Sequence, residues 1–203
     1  AITGFLRAHR DKGRHLVTSI IEHKAVIDTA KAAEREGFDV TWLTPQADGS
    51  VSPGQLAEAM RPDTVLVSLM AVNNELGTIN DIAALAEVAH DHGAMIHVDA
   101  AQAVGRIDLD VGRSKVDMMS LSGHKAYGPK GIGALYVRRS PDLRLEALIH
   151  GGGHERSMRS GTLATHQIAG MGEAFALAAN EGEADQARIQ SLRDRLLEAI
   201  ADL

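Results

Sequence analysis

Six apolar runs of strand length punctuate this chain: Leu16 to Ser19, Phe38 to Leu43, Thr64 to Met70, Met95 to Asp99, Val116 to Leu121 and Gly133 to Val137. Between most of them the pattern changes to helical spacing. Ala25, Val26, Ala30 and Ala33 form one apolar stripe ending at Gly37, Pro53 opens a short helix to Met60, and Asp81 to His92 is a helix stopped by Gly93. Thr64 to Met70 reads as a continuous apolar strand, which implies cover on both faces. Strands alternating with helices demand long crossovers, and these place the strands parallel. The expected fold class is therefore α/β, three-layer, with a mostly parallel sheet.

The remaining segments follow from the same signals. Residues 1 to 12 read as the end of a helix, Pro45 to Pro53 as a turn-rich loop, and Asn73 to Gly77 as a polar loop. Ala100 to Val104 reads as a tight helix start, and Gly151 to Thr162 as a long polar loop. An alanine-rich helix is expected over 165 to 179, with Gly182 as a hinge and a last helix over 183 to 203. Both ends fall inside amphipathic patterns, with Ile2, Phe5 and Leu6 at one and Ile189, Leu192, Leu196, Leu197 and Ile200 at the other. The expectation is the middle of a longer protein, with no internal repeat.

Composition narrows the function. A formal net charge of -6 without a basic stripe argues against a general nucleic-acid binder. No apolar run approaches the length of a membrane span. The chain has no cysteine, so disulfides and thiolate metal sites are excluded within it. No signal or transit peptide is evident, and a cytoplasmic protein is expected.

In an open α/β sheet, ligands bind beyond the carboxyl ends of the strands. Four candidate groups fall there: His23, Asn74, Asp99, and the turn Ser122-Gly123-His124-Lys125. A lysine acts as a nucleophile only when its pKa falls by roughly 3 units, about 4 kcal/mol. Lys125 has the flexible glycine turn for such a site, but it also reads as a solvated loop lysine, and Lys130 is a rival. Asp99 is either a helix N-cap or the partner of a buried cation such as a protonated pyridine nitrogen. Gln102, three residues on, either reaches the same ligand or is merely exposed. His23 stacks on a flat ring, relays protons or caps a helix. The Ser122-Gly123-His124 turn offers a hydroxyl, an imidazole and amides to a phosphate.

Other motifs fail. Gly123-x4-Gly128-Pro129-Lys130 mimics P-loop spacing, but a proline separates Gly from Lys and no Ser or Thr follows. No Gly-x-Gly-x-x-Gly follows the first strand. His90 and His92 lack a third ligand at metal spacing and are expected to be solvated, so no metal site is assigned. His150 and His154 stay ambiguous.

Taken together, Glu22-His23-Lys24-Ala25-Val26, Asn73-Asn74-Glu75, His97-Val98-Asp99-Ala100-Ala101-Gln102, Ser122-Gly123-His124-Lys125 and Gly151-Gly152-Gly153-His154-Glu155-Arg156 resemble the cysteine desulfurases. The match is to the branch that supplies sulfur for iron–sulfur cluster assembly. It covers essentially the whole chain in order. The resemblance implies the large domain of the aspartate-aminotransferase-type fold, with pyridoxal 5'-phosphate as cofactor. It implies that residues 1–181 are that domain, incomplete at its start, and that 182–203 lead toward a small C-terminal domain. It implies that Lys125 bonds the cofactor, Asp99 pairs with the ring nitrogen, and His23 stacks on the ring and moves protons. Gln102 and Asn74 lie near the ring hydroxyl and substrate, Ser122 and His124 hold the phosphate, and Thr162 reaches the phosphate of a neighbouring subunit in a homodimer. The implied reaction takes L-cysteine to L-alanine and passes sulfur to an iron–sulfur scaffold or another acceptor protein. The chain departs from the family in lacking the persulfide-forming cysteine. The alternatives are another pyridoxal phosphate enzyme of this fold, such as an aminotransferase or selenocysteine lyase, or a non-catalytic homologue acting as a partner subunit.

Overall fold

A computed structural model describes residues 1–201. Its centre is a six-stranded sheet made of β1 (His15–Ser19), β2 (Asp39–Leu43), β3 (Thr64–Met70), β4 (Met95–Asp99), β5 (Met118–Ser122) and β6 (Gly133–Val137), in the order β2-β1-β3-β4-β5-β6. The first five strands are parallel, and β6 runs antiparallel to β5. The helices are α1 (Ile2–Ala8), α2 (Lys24–Arg35), α3 (Pro53–Ala59), α4 (Ile82–Asp91), α5 (Val111–Ser114) and α6 (Thr165–Ile200). The three-layer, mostly parallel architecture matches the sequence expectation.

Strand pleat divides the apolar residues between two cores. Leu16, Leu66 and Met118 face Phe5 and Leu6 of α1 and Val26 and Ala30 of α2. Their neighbours Val17, Val67 and Met119 face the other way, where Leu56 of α3 and Leu85 of α4 cover them. Every residue of β1 and β3 is buried, which explains why these strands carry so little polar alternation. The helices start where their sequences ask them to. Ser52 and Gln55 form a reciprocal capping box with Pro53 at the first turn of α3, and Asp81 caps α4 through Ala84 N–H.

Two expectations need correction. Ala100 to Val104 is a series of turns, not a helix start; Ala103 N–H bonds Ala100 O at 3.0 Å and Arg106 N–H bonds Ala103 O at 3.0 Å. The short helix comes later, at Val111–Ser114, where Asp110 accepts from Gly112 and Arg113. The second correction is Gly182, which is no hinge, because α6 runs unbroken through it. The same contact explains both. Gly105 sits at φ +70, and a Cβ there would lie 2.8 Å from the Cβ of Ala178; a Cβ on Gly182 would lie 3.0 Å from the Gly105 carbonyl. The glycines let the turn after β4 rest directly on α6.

Candidate functional site

The parallel order brings the ends of β1, β3, β4 and β5 side by side, so residues following these strands share one edge of the sheet. Four adjacent strands span about 15 Å. His23 follows β1 as the N-cap of α2, its Nδ1 accepting from Ala25 N–H at 3.1 Å. The ring is exposed, which leaves Nε2 free toward solvent. After β3, Asn73 shapes the loop: its Oδ1 accepts from Glu75 and Leu76 N–H at 2.8 Å, and its amide donates to Ile21 O at 3.0 Å. Asn74 beside it is exposed. The sequence reading singled out Asn74, yet Asn73 is the residue that holds the loop.

Asp99 ends β4 half-buried, with one carboxylate oxygen accepting from Ala101 N–H at 3.0 Å. Among the described residues no basic side chain pairs with it. Two residues earlier on the same face, His97 is buried between two hydroxyls, Ser68 Oγ at 2.9 Å and Ser120 Oγ at 2.8 Å. Burial drives its pKa down to about 3, so the imidazole is neutral. The bed beneath Asp99 is polar, and among the described residues no basic side chain other than the neutral His97 lies in it.

β5 passes into a tight 3-10 turn, Gly123–Ala126, with Tyr127 at φ 63 closing it. Gly123 N–H bonds Ile132 O and Gly128 N–H bonds Gly123 O, each at 3.0 Å. A Cβ on Gly123 would stand 2.9 Å from Ile132 Cγ2, so the fold of the turn needs glycine there. The turn joins Ser122 Oγ to His124 Nδ1 at 3.0 Å. Lys125 is exposed beside them. Lys130, the rival lysine, is also exposed, and its carbonyl accepts from Gln167 at 2.9 Å.

The other candidates fall less centrally. Gln102 turns its Oε1 to Arg106 at 3.2 Å. Thr162 is exposed and lines, with Ser120 and Met158, a neighbouring cavity of about 820 Å³ beside β6 that Asp99, His23 and Lys125 do not line. His90 is not solvated as expected; its Nε2 lies 2.9 Å from the fully buried Asp117, which also pairs with Arg138 at 2.6 Å. This network lies at the opposite, amino-terminal edge of β5. His92 Nδ1 meets Val88 O at 2.9 Å, and His154 Nδ1 accepts from Gly161 N–H at 3.3 Å. Among the described residues no group of three or more His, Asp or Glu side chains is placed to hold a metal.

The chemistry of the edge is specific. A half-buried carboxylate without its own cation suits a protonated ring nitrogen. A hydroxyl–imidazole pair next to it suits an anionic tail, and an exposed amine adjoins that pair. Residues the sequence reading did not assign chemistry to are Glu22, Asn73 and His97. All three stood inside quoted motifs, but only their burial distinguishes them.

The model of the family described as aminotransferase class-V matches residues 1–203. The cysteine desulfurase IscS of Pseudomonas putida (strain W619) is 60% identical over 203 residues, covering 100% of this chain and 50% of the relative. Among solved structures, a NifS-like protein superposes with a TM-score of 0.95 at 34% identity, covering 99% of this chain and 55% of its own. SspA in complex with cysteine superposes with a TM-score of 0.82 at 49% identity, covering 86% of this chain and 50% of that one. The chain thus spans about half the length of the curated relatives it matches.

Proposed function

Since the chain belongs to the class-V aminotransferase family, we propose that it supplies the cofactor-binding half of a pyridoxal 5'-phosphate-dependent cysteine desulfurase. The observation that carries this reading is Asp99: a half-buried carboxylate at a strand end with no basic partner among the described residues, set next to the Ser122–His124–Lys125 turn. The relatives named as cysteine desulfurases and the neighbour solved with cysteine support the choice of substrate.

When bound, pyridoxal phosphate supplies a conjugated ring that draws electrons from the substrate's α-carbon. In this reading Asp99 binds the ring nitrogen and keeps it protonated. Ser122 and His124 bind the phosphate. Lys125 would hold the cofactor through its side-chain amine, and the same amine would move the substrate's α-proton. His23, with Nδ1 spent on the helix cap, uses Nε2 to give or take a proton. Asn74 and Gln102 orient the ring hydroxyl and substrate. Thr162, exposed on the wall of the cavity beside β6, would serve the phosphate site of the partner in a homodimer. The 203 residues contain no cysteine, so the thiol that takes the sulfur is placed elsewhere in the protein. Transfer to an iron–sulfur scaffold or another acceptor, in the cytoplasm, completes the proposal.

The second reading is a non-catalytic homologue or another pyridoxal phosphate enzyme of this fold. The deciding experiment loads the full-length protein with pyridoxal phosphate, traps with borohydride, maps the modified peptide, and assays L-cysteine beside other amino acids and selenocysteine. Reduction locked on Lys125, together with alanine formed from cysteine and sulfide released when a thiol reductant is added, is the expected result. Label on Lys130 or on scattered lysines would overturn the site. Label on Lys125 without cysteine turnover would leave the cofactor site and remove the desulfurase.

A further inference from the structure

Glu22 lies between the ends of β1 and β3, and nothing in the reading above uses it. Its side chain is only 5% exposed. Oε1 accepts from Met70 N–H at 2.8 Å, whereas Oε2 is buried with no partner among the described residues. The β1–β3 ladder ends at the pair Thr18–Ser68, so the Met70 amide lies beyond the reach of β1. Glu22 turns back and satisfies it. Asn73 ties the same segment through Ile21 O at 3.0 Å. Two bonds therefore hang residues 21 and 22, and with them His23, from the end of β3.

A buried carboxylate anion with one bare oxygen is costly, and a neutral acid in the same place much less so. The groups around Glu22 offer the anion no relief. Asp99 at the end of β4 repels it, the β3 side contributes only the Met70 amide and the Asn73 amide, and on the α2 side His23 spends Nδ1 on its cap. Burial, helped by the Asp99 charge and opposed by the Met70 N–H, pushes the Glu22 carboxyl up to about 8.

We propose that Glu22 is a positioning residue working as a neutral acid: it hangs the His23 segment from β3 without setting a second negative charge beside Asp99. The proposal rests on the cofactor site described above. A carboxylate here would compete for its own counter-ion and pull the segment toward solvent. The uncharged acid leaves Asp99 as the anion offered to the ring nitrogen.

The test uses the full-length protein, with Glu22→Gln as the neutral isostere and Glu22→Ala as the truncation. Two quantities are measured: the pyridoxal phosphate dissociation constant near pH 7, and the urea midpoint of the cofactor-free protein as pH rises from 4.5 to about 8, the ordinary and shifted values for this carboxyl. The glutamine variant is expected to bind the cofactor within about twofold of wild type, and the alanine variant roughly tenfold more weakly, because the Met70 amide loses its partner. In that pH window the folded state keeps a proton the unfolded chain has lost. Wild type should therefore lose stability as pH rises, relative to the glutamine variant. Glutamine binding as weakly as alanine, or alanine binding like wild type, would overturn the positioning role. Parallel urea curves for wild type and the glutamine variant would overturn the neutral acid. If wild type itself takes up no pyridoxal phosphate, the cofactor reading fails; the urea series needs no cofactor and still decides the state of Glu22.

Discussion

Asp99 has two tasks that a substitution can separate. One oxygen caps the turn after β4 through Ala101 N–H, and asparagine can keep that bond with its own carbonyl. The other task is to offer a charge, and asparagine loses it. Asp99→Asn should therefore change the unfolding free energy of the cofactor-free full-length protein, read from urea curves, by less than ~1 kcal/mol. The same change should weaken pyridoxal phosphate binding about tenfold or more, read by absorbance titration. Equal binding by the two proteins would remove Asp99 from the cofactor site. Ser122→Ala separates phosphate binding in the same way: among the described residues Ser122 Oγ bonds the exposed His124 ring alone, so its loss should cost cofactor affinity and almost no stability. These two residues were legible in the sequence because each ends an apolar strand. Glu22 and Asn73 were not, because nothing local says that one side chain will be buried against β3 and the other will hold a loop across to β1.

Among the elements, the turn after β4 and helix α6 form the pair that the local pattern misread. Small residues over Ala100 to Val104 look helical, and Gly182 looks like a break. Packing decides otherwise, because the Gly105 backbone rests on Ala178 and Gly182. Gly105→Ala adds a methyl at φ +70 and 2.8 Å from Ala178 Cβ, and should lower the stability of the full-length protein by ~1–3 kcal/mol in urea unfolding. A midpoint unchanged from wild type would mean that this contact yields freely. Helix starts were far more readable: Ser52, Asp81 and His23 all cap through their own side chains, since a cap is settled within three residues. α6 also shows Leu177, Ile189, Leu192, Leu196, Leu197 and Ile200 to solvent, with Met171 its buried residue. An apolar stripe of that kind drives association. The 203-residue chain alone should therefore elute larger than 21.6 kDa on size exclusion; a monodisperse monomer would contradict this.

At the scale of the molecule, two buried groups set opposing pH slopes. His97 is depressed to about 3 from 6.5, chiefly by burial, so it contributes stability above pH 6.5 that is lost as pH falls toward 3. Glu22 is raised to about 8 from 4.5, so its contribution is present below pH 4.5 and lost as pH rises to 8. Each swing is on the order of 5 kcal/mol. The two slopes cancel between 4.5 and 6.5, and the urea midpoint should be flattest there. Glu22→Gln should flatten the alkaline side and His97→Gln the acid side. A midpoint that rises steadily to pH 8 would refute the balance. The sequence by itself determined the layers: the period of each apolar run, the capping residues and the glycine turn at Ser122–Lys125 act over a few residues and need no distant partner. It did not determine which strands lie together, nor that Glu22 and His97 would be sealed from water, nor that His90 would find Asp117, 27 residues away. Those outcomes depend on the chain crossing itself, because the cost of burying a charge or an unpaired polar group is set by whatever the fold brings against it.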